Sequence, residues 1–156
     1  MTISASWDDR EFTDRARNVP RRLELLEAAM DAHTGLIWSA VVPLTPVGVT
    51  SILRGSWATE TARTGASVVG IVGNPQIYSE VIERGRRPGA RMPPPEALRT
   101  WVERKLGSDV SPFVIARSIA REGIEPVRML ERAVESSRPA AQSLWDRVVS
   151  RLLEES

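Results

Sequence analysis

Arg84-Gly85-Arg86-Arg87-Pro88-Gly89-Ala90-Arg91 places four arginines in eight residues with no acid among them. Guanidinium groups pair bidentately with phosphates and carboxylates, and the glycines and proline make the stretch a loop, so its chemistry is that of a polyanion or acidic-surface contact. The plainer alternative is a flexible, solvated spacer. Other reactive groups are scarce. His33 is the sole histidine and lies near Glu27 and Asp31 on a helical stretch, where an imidazole usually just finds a hydrogen-bond partner. One histidine and no cysteine leave no histidine-rich zinc set, no thiolate and no disulfide. Asp8-Asp9 and Glu154-Glu155 are adjacent carboxylates near the chain ends, where neither burial nor a fixed neighbour divides acid from base roles. Gly48 to Gly55 lacks the Gly-Lys-Ser/Thr ending of a phosphate loop. The expectation is a protein that is not an enzyme and takes no cofactor and no metal.

The elements that would carry these residues centre on Thr45 to Gly85, the only part that reads as sheet. Trp57, Thr59, Thr61 and Arg63 alternate with Ala58, Glu60 and Ala62, and Ser67 to Val72 is a β-branched run, which predicts two strands. Thr64-Gly65-Ala66 supplies a three-residue turn between them, because glycine tolerates positive φ. Pro43, Pro46 and Gly48 predict a loop leading in.

Upstream, residues 1–19 carry Trp7 and Phe12, with a short helix expected from Asp8 to Arg17 and a break at Asn18-Val19-Pro20. From Pro20 to Val42, Leu23, Leu26, Met30, Ile37 and Val41 recur at helical spacing, with a bend expected near Gly35. Downstream, Gln76 to Arg84 favours a short helix. Leu98, Trp101, Val102 and Leu106 form one helical stripe stopped at Gly107, and Ile115, Ala116, Ile119 and Ala120 form another, entered at Ser111-Pro112 and stopped at Gly123. These two should make a helical hairpin. A further helix is expected from Val127 to Val134, then a break at Ser136-Ser137 and Pro139, then a last helix with Leu144, Trp145, Val148, Val149 and Leu152. Trp38, Trp57, Trp101 and Trp145 all fall on apolar faces and are expected in the core, leaving Trp7 as the interface anchor. The fold class is therefore α+β: a small antiparallel sheet, a long N-terminal helix packed on it, and a helical C-terminal half.

At 156 residues, 42% of them hydrophobic and 26% charged, the chain suits a single folded domain. A net charge of +1 argues against a protein that coats nucleic acid over its whole surface, so any basic face must be local. Twenty of the 21 basic residues are arginine, which a GC-rich genome alone would explain. No signal peptide and no membrane span is visible, and a cytoplasmic product is expected.

Thr45-Pro46, Thr50, Leu53-Arg54 and Ser56, then Val72-Gly73-Asn74, then Tyr78, Ile82-Glu83 and Gly85 follow one another in an order that resembles the minor tail-component family of long-tailed bacteriophages. The likeness continues through Pro95, Leu98 and Trp101-Val102, Phe113, Ile115-Ala116-Arg117 and Ile119, Gly123-Ile124 and Pro126, and Met129-Leu130 and Ala133. It covers 20–135, leaving 1–19 as an N-terminal arm or short helix. Residues 136–156 form an amphipathic helix that packs on the same domain or on a neighbour. Val49-Thr50 departs from the family, which carries an acidic residue and a glycine there. The resemblance implies a structural virion protein of the neck or upper tail, made and assembled in the host cytoplasm. It implies a homo-oligomeric ring, six-fold in this family, between head-completion and tail-terminator or tail-tube proteins, with genomic DNA in the channel and no membrane. Arg84, Arg86, Arg87 and Arg91 would then face DNA or a neighbouring ring. A small nucleic-acid-binding accessory protein using the same loop is the alternative.

Overall fold

The computed structural model describes residues 9–48, 50–65 and 67–154, with side chains from Val19 onward; Trp7 and Val49 lie outside them. In chain order the elements are α1 (Asp9–Leu44), α2 (Ile52–Gly55), β1 (Ala58–Thr64), β2 (Ser67–Gly73), α3 (Ser79–Arg84), α4 (Pro95–Lys105), α5 (Pro112–Glu122) and α6 (Met129–Glu154). The α+β class expected from the sequence is the one observed, with a two-stranded antiparallel sheet, a long N-terminal helix on it and a helical C-terminal half.

Two expected breaks are absent. Helix α1 runs through Asn18-Val19-Pro20, and α6 runs through Pro139, where the sequence predicted separate segments. For α6 the burial pattern supplies the reason. Met129, Ala133, Ser137, Ala141 and Val148 are buried along one stripe, while Pro139 faces outward. Burial along that stripe offsets the roughly 3 kcal/mol that an interior proline costs. The helix expected from Val127 starts late, at Met129, after Arg128 with φ 53°.

The chain forms two compact units, each drawing on α1 and α6. One comprises the described parts of 1–36, 59–72 and 137–156. Here β2 lies close against α1: a Cβ on Gly70 would sit 2.6 Å from Thr34 Cγ2 and 2.8 Å from Met30 Cγ. On β1, Arg63 Nη2 reaches Glu27 Oε2 at 2.7 Å, fixing the same face. Strand β1 ends at Thr64 and β2 begins at Ser67, with Gly65 (φ 61°) after β1, so Thr64, expected in the turn, belongs to the strand. On the C-terminal part of α6, Trp145 Nε1 donates to His33 Nδ1 at 3.0 Å, with the rings edge to face. His33 is thus the hydrogen-bonded imidazole the sequence suggested.

The other unit comprises 37–58 and 73–136. Helices α4 and α5 pack together as the expected hairpin, around fully buried Val102 and Ala116. Ser111 takes extended N-cap geometry before Pro112, although its hydroxyl makes no cap bond, and Gly123 (φ 81°) ends α5. The loop into the sheet contains the unanticipated single-turn helix α2, entered at Ser51 with φ 53°.

Of the four tryptophans expected in the core, only Trp57 is buried. Trp145 is half-buried, and Trp38 and Trp101 are 42% and 41% exposed. Trp38 stays outward because its indole N–H is held by the Trp57 carbonyl at 3.0 Å. Trp101 lies to one side of the α4 face that buries Val102, so the stripe is narrower than apolarity alone suggested.

Candidate functional site

Two hydrogen-bonded junctions stand out in the 37–58 and 73–136 unit. The first is built on Thr45, which is fully buried. Its hydroxyl donates to the Val41 carbonyl at 2.8 Å and accepts from Trp57 Nε1 at 2.7 Å. Its carbonyl accepts from Arg54 Nε at 3.0 Å and Nη2 at 2.8 Å, placing a guanidinium beside the C-terminus of α1, where a positive charge is favoured. Asn74 Nδ2 donates to the Leu53 carbonyl at 2.7 Å, and its Oδ1 accepts the Gln76 N–H at 3.1 Å. Gln76 Nε2 in turn donates to Ser56 Oγ at 3.1 Å. Past Ile77 the Ser79 N–H returns to the Gln76 carbonyl at 2.9 Å, so the loop is anchored on both sides of Ile77, which is 96% exposed.

The second junction joins the start of the arginine loop to the chain after α5. Arg86 and Ile124 form an antiparallel bridge, N–H to carbonyl in both directions at 2.8 and 2.9 Å. Gly85 (φ 71°) and Gly123 (φ 81°) flank that bridge, and each leaves no room for a side chain: a Cβ on Gly85 would be 2.5 Å from the Ile124 carbonyl oxygen, and one on Gly123 would run into that of Arg86. Glu83 completes the junction by accepting the N–H groups of Leu130 and Glu131 at 3.0 and 3.1 Å, which caps the N-terminus of α6. A shallow cavity of about 600 Å³ adjoins it, lined by residues including Glu83, Arg84, Arg128 and Leu130.

The arginine loop is hydrogen-bonded to the chain around α5 at two points. Besides the bridge, Gly89 N–H donates to the Ala120 carbonyl at 2.7 Å. Its four arginines fare differently. Arg86 is half-buried and folds back, with Nη2 on the Arg91 carbonyl and its Nε enclosed without a partner. Arg84 lies 3.5 Å from Glu80 in an exposed i,i+4 pair. Only Arg87 and Arg91 are exposed with no acidic partner among the described residues.

Sequence reading by short windows passed over other exposed cations. Arg99, Arg104 and Lys105 on α4 and Arg117 on α5 are likewise exposed and unpaired among the described residues. Counting charge from 84 to 121 would have found the group: nine basic residues stand against three acids, in a chain whose net charge is +1. Arg121 does not join it, since Glu122 lies 2.5 Å from its Nη2. That hydrogen bond and charge hold the Glu122 carboxyl below the usual carboxylate range.

No group of three or more metal-ligating side chains is assembled among the described residues, and no described helix is long and apolar enough to cross a membrane. No family model, no curated protein and no solved structure matches the chain.

Proposed function

We propose that this chain is a structural protein of the head-to-tail junction of a long-tailed bacteriophage, a neck or tail-completion component whose copies close into a ring. The observation that carries the proposal is rigid presentation of apolar side chains. Ile77 stands 96% exposed on a loop pinned on both sides, and Phe113 and Trp101 are 50% and 41% exposed on the α4–α5 hairpin. Single exposed apolar residues are common on monomers, but a nearly bare isoleucine on an anchored loop contributes nothing to its own fold. Burying it in a partner would contribute about 1.5–3 kcal/mol, and a ring repeats that contact at every interface.

The resemblance points the same way, and several of its residues, among them Thr45, Arg54, Asn74, Glu83 and Gly85, lie in the two junctions. The neighbours would be head-completion proteins on one side and tail-terminator or tail-tube proteins on the other. The ring, six-fold by the resemblance, would act by shape, continuing the channel through which the genome passes. The test is particle assembly without the chain. Filled heads and finished tails that remain unjoined, and that join when the purified protein is added, are the expected outcome. Joined, infectious particles formed in its absence would refute the proposal.

A further inference from the structure

Resting on the neck reading, we infer that Ile77 of one copy seats in the cavity at the N-terminus of α6 in the next copy, a knob and a pocket carried by the same chain. The cavity, of about 600 Å³, has Pro126, Leu130 and Val134 as its apolar lining and Glu83, Arg84, Arg128 and Glu131 as its charged lining. Each of those charges is met within the chain. Glu83 accepts the N–H groups of Leu130 and Glu131, Arg84 lies 3.5 Å from Glu80, and Arg128 lies 3.9 Å from Glu131. What remains uncovered is apolar, with Val134 42% exposed. A charged occupant would have to break a balanced pair or stay unpaired on burial, so the fitting occupant is apolar and uncharged.

The chain itself carries such a group. Asn74 to Ser79 holds no charged residue, and it presents Ile77 at 96% exposed with Tyr78 at 45% beside it. The side chains of Asn74 and Gln76 already tie this loop to Leu53 and Ser56, so little ordering is left to be done on binding. The cavity is larger than one isoleucine, which leaves space for the Tyr78 ring, and the polar rim would meet its hydroxyl. Ile77 precedes α3 while Glu83 and Arg84 of the cavity end it, and the exposure of Ile77 shows that a chain does not fill its own pocket. Knob and pocket are different surfaces, so their contact is heterologous and repeats from copy to copy until rotation closes it. Contact of Ile77 with its own counterpart would stop at a pair.

The full chain has no cysteine, so introduced thiols report the contact without background. Ile77→Cys and Val134→Cys, purified separately, mixed and oxidised, should form a disulfide with each other. That bond should form about tenfold faster than one between Ile77→Cys and Thr100→Cys, an exposed position on α4 outside the cavity. The double variant should oxidise to a ladder of linked chains that ends at the closed species. Val134→Trp, which fills the cavity at a position already 42% exposed, should abolish the closed species in sedimentation and leave the melting temperature as it was. Three results would each overturn the inference: Ile77→Cys linking to itself as readily as to Val134→Cys, a mixed disulfide no faster than the control, or a closed species indifferent to Val134→Trp. A wild-type ring without this cross-link leaves the neck reading standing. Cross-linking here, with particles that join in the absence of the chain, removes the neck reading and keeps the contact.

Discussion

Glu83, Gly85 and Gly123 show how single residues hold the second junction, and each makes a separable prediction. Glu83 accepts two backbone N–H groups at the start of α6, so Glu83→Ala should cost about 1–2 kcal/mol, and Glu83→Gln, which keeps an acceptor but loses the charge, should cost less. At this chain length each kcal/mol lowers the melting temperature by about 2–4 °C, which thermal denaturation resolves. Gly85→Ala and Gly123→Ala combine positive φ with a backbone collision, whereas Gly89 (φ 78°) has positive φ and open space. Gly89→Ala should therefore cost about 1 kcal/mol and either of the others well over 2, in denaturant titrations. The glycines were visible in the sequence as turn signals only. That two of them meet across a bridge 38 positions apart depends on a pairing no local window contains.

At the scale of elements, local punctuation and long-range packing divide what could be read. The β1–β2 hairpin and the α4–α5 hairpin were legible because alternation, Ser111-Pro112 and Gly123 mark them within a few residues. The continuity of α1 and α6 was not, because prolines signal a stop and the stripe that overrides Pro139 is made partly of small residues, Ala133, Ser137 and Ala141, that hydrophobic periodicity passes over. If burial holds α6 straight through a residue that disfavours it, Pro139→Ala should stabilise the chain by about 1–3 kcal/mol, measured by equilibrium unfolding. Gly70 is the corresponding case in the sheet. Gly70→Ala pushes a methyl group against Thr34 and Met30 and should cost about 1–3 kcal/mol, part of it recovered by Thr34→Ser in a double-mutant cycle. The loop arginines stood out as a run, while the exposed Arg99 and Arg117 are spaced along helices, where no short window collects them.

For the whole molecule, the account holds that surfaces, not reactive groups, are the working parts. The anchored Ile77 is the most direct probe, since it is 96% exposed and Ile77→Asp should change the stability of the isolated chain by less than about 0.5 kcal/mol. Sedimentation of the purified protein across concentration, wild type against Ile77→Asp, decides the matter. The account predicts a discrete closed species at six times the 17.3 kDa chain mass for the wild type, lost in the variant while its melting temperature is kept. Wild-type protein that stays at 17.3 kDa at every concentration, or a closed species indifferent to Ile77→Asp, would contradict it.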